Sequence, residues 1–175
     1  MEIKISRRIK APIDQVWKIV ADDYAQVGDW VSAVYVSQAR SGRPKIAEAP
    51  CAGRICETSL GPFTEIIEAF DRVNHTLTYS ATGDKMPGFM KGLQNTWKLR
   101  PVGANETEAS MTLSANIAFP MNVLMGWMMK MQFKRAVTET IDDLQAFAET
   151  GSVSDRKVEI ENSAKALAAK QAAAA

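Results

Sequence analysis

From Glu2 to Ile117 the chain is broken into short stretches in which apolar and polar side chains alternate, and from Pro120 onward the apolar residues recur at helical spacing. Side chains alternate across a strand with a period of two and recur along a helix every 3.6 residues, so the switch divides sheet from helix. The first stretch, EIKISRRIK, sets Ile3, Ile5 and Ile9 on one side and Glu2, Lys4, Arg8 and Lys10 on the other. Six more follow: SAVYVSQAR, GRICETSL, FTEIIEAFD, TLTYSAT, LQNTWKLRP and ETEASMTLSANI. The later ones are joined by little more than the dipeptide Gly61-Pro62, VNH and VGAN. Connections that short imply an antiparallel meander. Such a sheet has a face to bury, and residues 120–150 form the only element large enough to cover it.

Two short helical segments precede the second strand. APIDQVWKIVADD has Pro12 near its start and Val16, Trp17, Ile19 and Val20 at helical spacing, and DYAQVGDWV breaks at Gly28. SGRPKIAEAPCAG and GDKMPGFMKG read as loops. Gly151 is placed to stop the long helix. Beyond it, SVSDRKVEIENSAKALAAKQAAAA is charged and then alanine-rich, with few large apolar residues. The expectation is one domain over residues 1–150, followed by a poorly packed tail, helical or disordered, over 151–175.

Lysine and arginine number 21 against 20 acidic residues, a formal charge of +1, so the chain lacks the basic footprint of nucleic-acid binding. Lys4, Arg7, Arg8 and Lys10 read as the wet face of a strand. No run approaches a membrane span, and no apolar leader precedes the first strand, which makes cytoplasmic the expected location. Cys51, Cys56 and the single His75 cannot assemble a four-ligand zinc site. No metal and no cofactor are expected.

IKAPIDQVWKIVADDYAQVGDWV, AGRICETSLGPFTEIIEAFD and LTYSATG, in this order of elements, resemble the START-like (SRPBCC, helix-grip) superfamily. More narrowly, they are similar to the bacterial polyketide cyclase/dehydrase and lipid-transport family, over roughly residues 1 to 150. The resemblance implies an α+β fold of the START/Bet v 1 kind. In it a curved seven-stranded antiparallel sheet grips a long C-terminal helix, with a ligand cavity between them.

Alternation assigns faces independently. Leu93, Asn95, Trp97 and Leu99 share one side of their strand; Met111, Leu113, Ala115 and Ile117 share another; Leu77, Tyr79 and Ala81 a third. FTEIIEAFD is ambiguous, because Phe63, Glu65, Ile67 and Ala69 compete with Thr64, Ile66, Glu68 and Phe70. The resemblance tips it toward Glu65 inward. GRICETSL is open between Cys56/Thr58 and Ile55/Glu57.

The pocket expected is apolar, with Asn95, Tyr79 and Glu65 as its convergent polar groups. A buried Asn95 amide must find a partner. A Glu65 among apolar residues would have a raised pKa and could act as acid or base, with no second carboxylate or histidine evident beside it. Trp30, Ala81, Trp97, Met111 and Leu113 are further expected lining residues, with Met86, Pro87 and Phe89 from the second loop.

Met121, Leu124, Met125, Met128 and Met131 form one stripe of the long helix, and Val123, Trp127, Val137, Ile141, Leu144 and Ala148 another. Methionine is unbranched and polarisable, which suits a wall that repacks around a ligand, so Leu124, Met128 and Met131 are assigned to it. The extra apolar face would equally suit a second copy in a homodimer or a membrane surface. Three functions therefore stand open. The first is binding or transport of a small hydrophobic molecule such as a lipid, polyketide or isoprenoid-like compound. The second is a cyclase, dehydratase or hydrolase using Glu65 with Tyr79 and Asn95. The third is an interaction or membrane-delivery module.

Overall fold

In a computed structural model describing residues 1–174, seven antiparallel strands form a single sheet. They are β1 (Glu2–Ile9), β2 (Val34–Ala39), β3 (Gly53–Thr58), β4 (Gly61–Asp71), β5 (Thr76–Gly83), β6 (Met90–Gly103) and β7 (Glu106–Ile117). Their spatial order is β1-β7-β6-β5-β4-β3-β2, so the first two strands stand at opposite edges. Between them in sequence run α1 (Ile13–Trp17), which continues as a π-helical turn (Lys18–Asp22), and a 3-10 helix (Tyr24–Asp29). After β7 come α2 (Met121–Leu124), α3 (Gly126–Thr150), α4 (Asp155–Glu161) and α5 (Ala164–Ala174). This is the helix-grip architecture.

Cross-strand rows carry the concave face inward. Ile67, Tyr79, Asn95, Leu113 and Ile3 lie side by side across β4, β5, β6, β7 and β1, and Leu77, Trp97 and Met111 form the next row. Val137, Ile141, Leu144 and Ala148, at intervals of four, three and four, are the buried stripe of α3 laid against these rows. Gly151 ends the helix in the left-handed region (φ 72°), its amide bonded to the Phe147 carbonyl.

The two ambiguous strands resolve differently. In β3, Arg54 and Cys56 are buried while Ile55 is exposed. In β4 a bulge between Ile67 and Ala69 inserts Glu68, so the inward set is Phe63, Glu65 and Ile67 before it and Phe70 after it. Each competing alternation holds for one half of the strand. The turn into β4 is Ser59-Leu60, and Gly61 (φ 102°) and Pro62 already pair within the strand.

The tail departs from the expectation of a poorly packed appendage. Its two helices pack back on the domain, with Ala166 and Lys157 fully buried. The Lys157 ammonium donates to the Val34 carbonyl at 2.8 Å. Asp143, buried within α3, accepts from the Ser32 amide (2.8 Å), the Ser154 hydroxyl (2.6 Å) and Arg156 (3.0 Å). One carboxylate thus fastens helix, tail and the approach to β2.

Candidate functional site

The polar centre of the concave face comes from two neighbouring strands and a short helix. Arg54 of β3 and Glu65 of β4 stand directly opposite in the register, and Arg54 Nε donates to Glu65 Oε2 at 2.6 Å. Tyr24, in the 3-10 helix, donates its hydroxyl to the same oxygen at 3.1 Å, while its carbonyl accepts from Arg54 Nη1 at 2.7 Å. The guanidinium lies 4.0 Å from the centroid of the Tyr24 ring and 5.2 Å from that of Tyr79. Arg54 is therefore held by a carboxylate, a carbonyl and two aromatic faces at only 5% exposure. Gly53 permits this closeness: a β-carbon there would sit 2.0 Å from the Glu65 carbonyl oxygen.

Burial dominates the ionisation of these groups. It works against the charge on Arg54 and is the largest single influence there, but the Glu65 carboxylate together with Tyr24, Tyr79 and Cys56 outweighs it and holds the guanidinium above its already high range. Burial raises the Tyr24 and Tyr79 hydroxyls above the ordinary tyrosine value, with Glu65 adding to the effect. It pushes the Cys56 thiol up to about 12, against the opposing influence of Arg54. At neutral pH all three stay protonated.

Two spaces lie between sheet and helix. An inner chamber of about 210 Å³ is lined by Trp30, Glu65, Tyr79, Ala81, Asn95, Trp97, Met111 and Leu113, each of them among the lining residues expected above. An outer one of about 320 Å³ is lined by Met86, Pro87, Phe89 and Met128 together with Met125 and Met129. Leu60, Phe63, Leu93 and Phe133 border both. A wider depression of about 860 Å³ lies beside Glu2, Ser80, Gln94 and Ser114, which point away from the concave face, and shares only Leu93 with the chambers.

Leu124 and Met131 do not line either chamber. They are 65% and 60% exposed, because the sheet-facing side of α3 continues upward through Phe133, Met129 and Met125. The second stripe fails at its start for the same reason, leaving Val123 and Trp127 outside at 69% and 71%. Of the residues not foreseen, Arg54 carried a signal: it shares a strand face with Cys56. Tyr24 and Phe133 carried none, since a 3-10 helix and a helix start apolar all round have no single legible face.

Asn95 stands between Tyr79 and Leu113 in the central row, 7% exposed, and its Oδ1 has no hydrogen-bond partner among the described residues. Glu65 points inward, yet its bonds run to Arg54 and Tyr24, with none to Tyr79 or Asn95. The apolar setting expected for it is a buried ion pair instead.

A family model described as polyketide cyclase / dehydrase and lipid transport matches residues 1–149. The chain belongs to that family. Among solved structures, a START superfamily protein from Mycobacterium smegmatis superposes with a TM-score of 0.68 at 11% identity, over 86% of this chain and 99% of that one. The Zhui aromatase/cyclase from Streptomyces sp. R1128 gives 0.63 at 10%, over 88% and 99%. XoxI from Bacillus cereus gives 0.66 at 15%, over 84% and 94%. At such identities these likenesses speak for the fold alone, the helix-grip architecture. No curated relative matches the sequence. The matched family span stops just before Gly151, so α4 and α5 are additions to it.

Proposed function

We propose that the protein binds one small hydrophobic molecule whose polar end carries a hydrogen-bond donor such as a hydroxyl. The observation that carries this is the unpartnered Asn95 Oδ1, buried in an otherwise apolar row. A buried amide oxygen without a partner costs about 1–3 kcal/mol, a cost that a donor on a bound molecule would offset. The apolar body would fill the inner chamber and extend past Leu60 and Phe133 toward the methionines, whose flexible side chains accommodate different shapes. Chambers of this size and lining suit a ligand of drug-like or short-lipid dimensions.

A role for Glu65 as acid or base is disfavoured by its bonds. A carboxylate pinned by a guanidinium at 2.6 Å and a tyrosine hydroxyl acts as a counter-ion. The family name covers cyclases, and Zhui is an aromatase/cyclase by name, but the scheme that joined Glu65 to Tyr79 and Asn95 lacks the contacts it requires.

Native mass spectrometry of the purified protein, followed by denaturing extraction, tests the reading directly. A co-purifying hydrophobic molecule with a hydroxyl or similar donor is expected. An empty protein that also fails to take up pyrenebutanol, a fluorescent apolar alcohol, would overturn it and turn attention to a transient substrate, with Glu65→Gln the variant to assay. Asn95→Leu sharpens the test, because it removes the orphan oxygen at similar volume. It should raise the unfolding free energy by about 1 kcal/mol while weakening pyrenebutanol binding several-fold.

A further inference from the structure

From the structure we infer that the start of α3, with α2 and the residue pair before it, docks on the surface of a membrane that contains anionic lipid. This deepens the ligand-binding reading, and rests on it, by naming where the hydrophobic molecule is collected or delivered. Phe119, Val123, Leu124, Trp127 and Met131 are between 60% and 81% exposed on this one corner of the molecule. Single exposed apolar residues are ordinary, but five clustered within two turns and a connection are not.

The charge around them identifies the occupant. From Ile117 to Thr138 the chain carries Lys130, Lys134 and Arg135 and no acidic residue. Lys130 and Lys134 are exposed with no ion pair among the described residues, while the exposed Arg135 is paired with Glu139, just past this stretch, at 2.7 Å. Trp127, Met131 and Lys134 recur at i, i+4 and i+7, so they share a helix face, apolar at its N-terminal end and cationic one turn further on. Apolar side chains entering the lipid with lysines spread at headgroup depth, an indole between them, is the arrangement of an interfacial helix. A second copy of the chain fits poorly. A two-fold contact would press Lys130 and Lys134 into one desolvated seam with their own equivalents, with no acidic residue between 117 and 138 to meet them.

Position agrees with chemistry. Met125 and Met128, on the same turns as Leu124 and Trp127, line the outer chamber. The amide of Ala118 donates to the carbonyl of Phe89, tying the loop that also lines that chamber to the base of the patch. Among the described residues no helix is long and apolar enough to cross a membrane, so the contact is peripheral. A molecule leaving the lipid would meet the methionine-lined chamber without crossing water.

The experiment uses the full chain and vesicles of phosphatidylcholine with and without phosphatidylglycerol. Trp17, Trp30 and Trp97 are buried, so a shift in tryptophan emission on adding vesicles reports Trp127. A blue shift and co-sedimentation with the mixed vesicles are expected, reversed by raised salt. Lys130→Gln and Lys134→Gln should each weaken the association about fivefold. Val123→Ser with Trp127→Ser should abolish it. Those surface variants should still take up pyrenebutanol in vesicle-free buffer, whereas Asn95→Leu should bind vesicles normally and hold the alcohol several-fold more weakly. Failure of docking and failure of ligand binding are thereby read separately. The inference is overturned by absence of co-sedimentation with the mixed vesicles, by vesicle binding indifferent to phosphatidylglycerol and to both lysines, or by sedimentation equilibrium showing a dimer that Val123→Ser/Trp127→Ser dissolves.

Discussion

Glu65 does two things at once: it neutralises a guanidinium with 5% exposure and it occupies space beside Tyr79 and Ala81 in the inner chamber. Removing its charge alone leaves Arg54 buried without a counter-ion. Glu65→Gln should therefore lower the unfolding free energy by about 3–5 kcal/mol, measured by urea titration, and far less in an Arg54→Met background where the charge is already gone. The neighbouring thiol makes a pH-dependent contribution. Its folded-state value of about 12 lies above the ordinary 9.0, so the folded state holds the proton more tightly. That contribution is complete below about pH 9 and is lost as pH rises toward 12. Tyr24 and Tyr79 are shifted in the same direction and lose stability on the same side. Urea midpoints followed upward from neutrality should fall in the alkaline range, and Cys56→Ala should flatten part of that fall.

Among the elements, the strands were the most legible, because a sheet with one covered face writes its pleat into the sequence. Leu77, Tyr79 and Ala81 or Asn95, Trp97 and Leu99 needed only alternation to be assigned inward. FTEIIEAFD resisted because Glu68 breaks the period in the middle of the strand, and an inserted residue leaves no mark except two half-patterns. In α3 only the last four turns could be read. The first turns are apolar all round since one side faces the chambers and another faces out. The tail misled because its burial is not carried by large apolar residues. Lys157 is interred through its aliphatic stem with the ammonium on a backbone carbonyl, and Ala166 is too small to signal a contact. The tail also caps β2, an edge strand with unpaired backbone groups. Ending the chain after Gly151 strips Asp143 of Ser154 and Arg156, so a loss of about 3 kcal/mol in thermal or urea unfolding is expected, with faster aggregation.

Across the whole molecule, contacts between α3 and the rest are uneven. Arg7 bonds Asp142, Gln15 bonds the Ala148 carbonyl, the Lys10 amide bonds Glu149 and the Ser32 amide bonds Asp143. All of these lie in the C-terminal half of the helix. In its first ten residues Met129 alone is buried. Hydrogen exchange should therefore be faster over 126–135 than over 137–148, and pyrenebutanol should slow the first region more than the second. The strand order has a consequence for biosynthesis. Glu2 pairs with Ser114 and Ile9 with Thr107, so the first strand made waits for the last before it can join the sheet. A nascent chain halted anywhere before β7 carries the isoleucines of β1 with no edge to receive them. The strands from β2 to β6 can pair as a meander before that, and the β1 edge is added once β7 is in place.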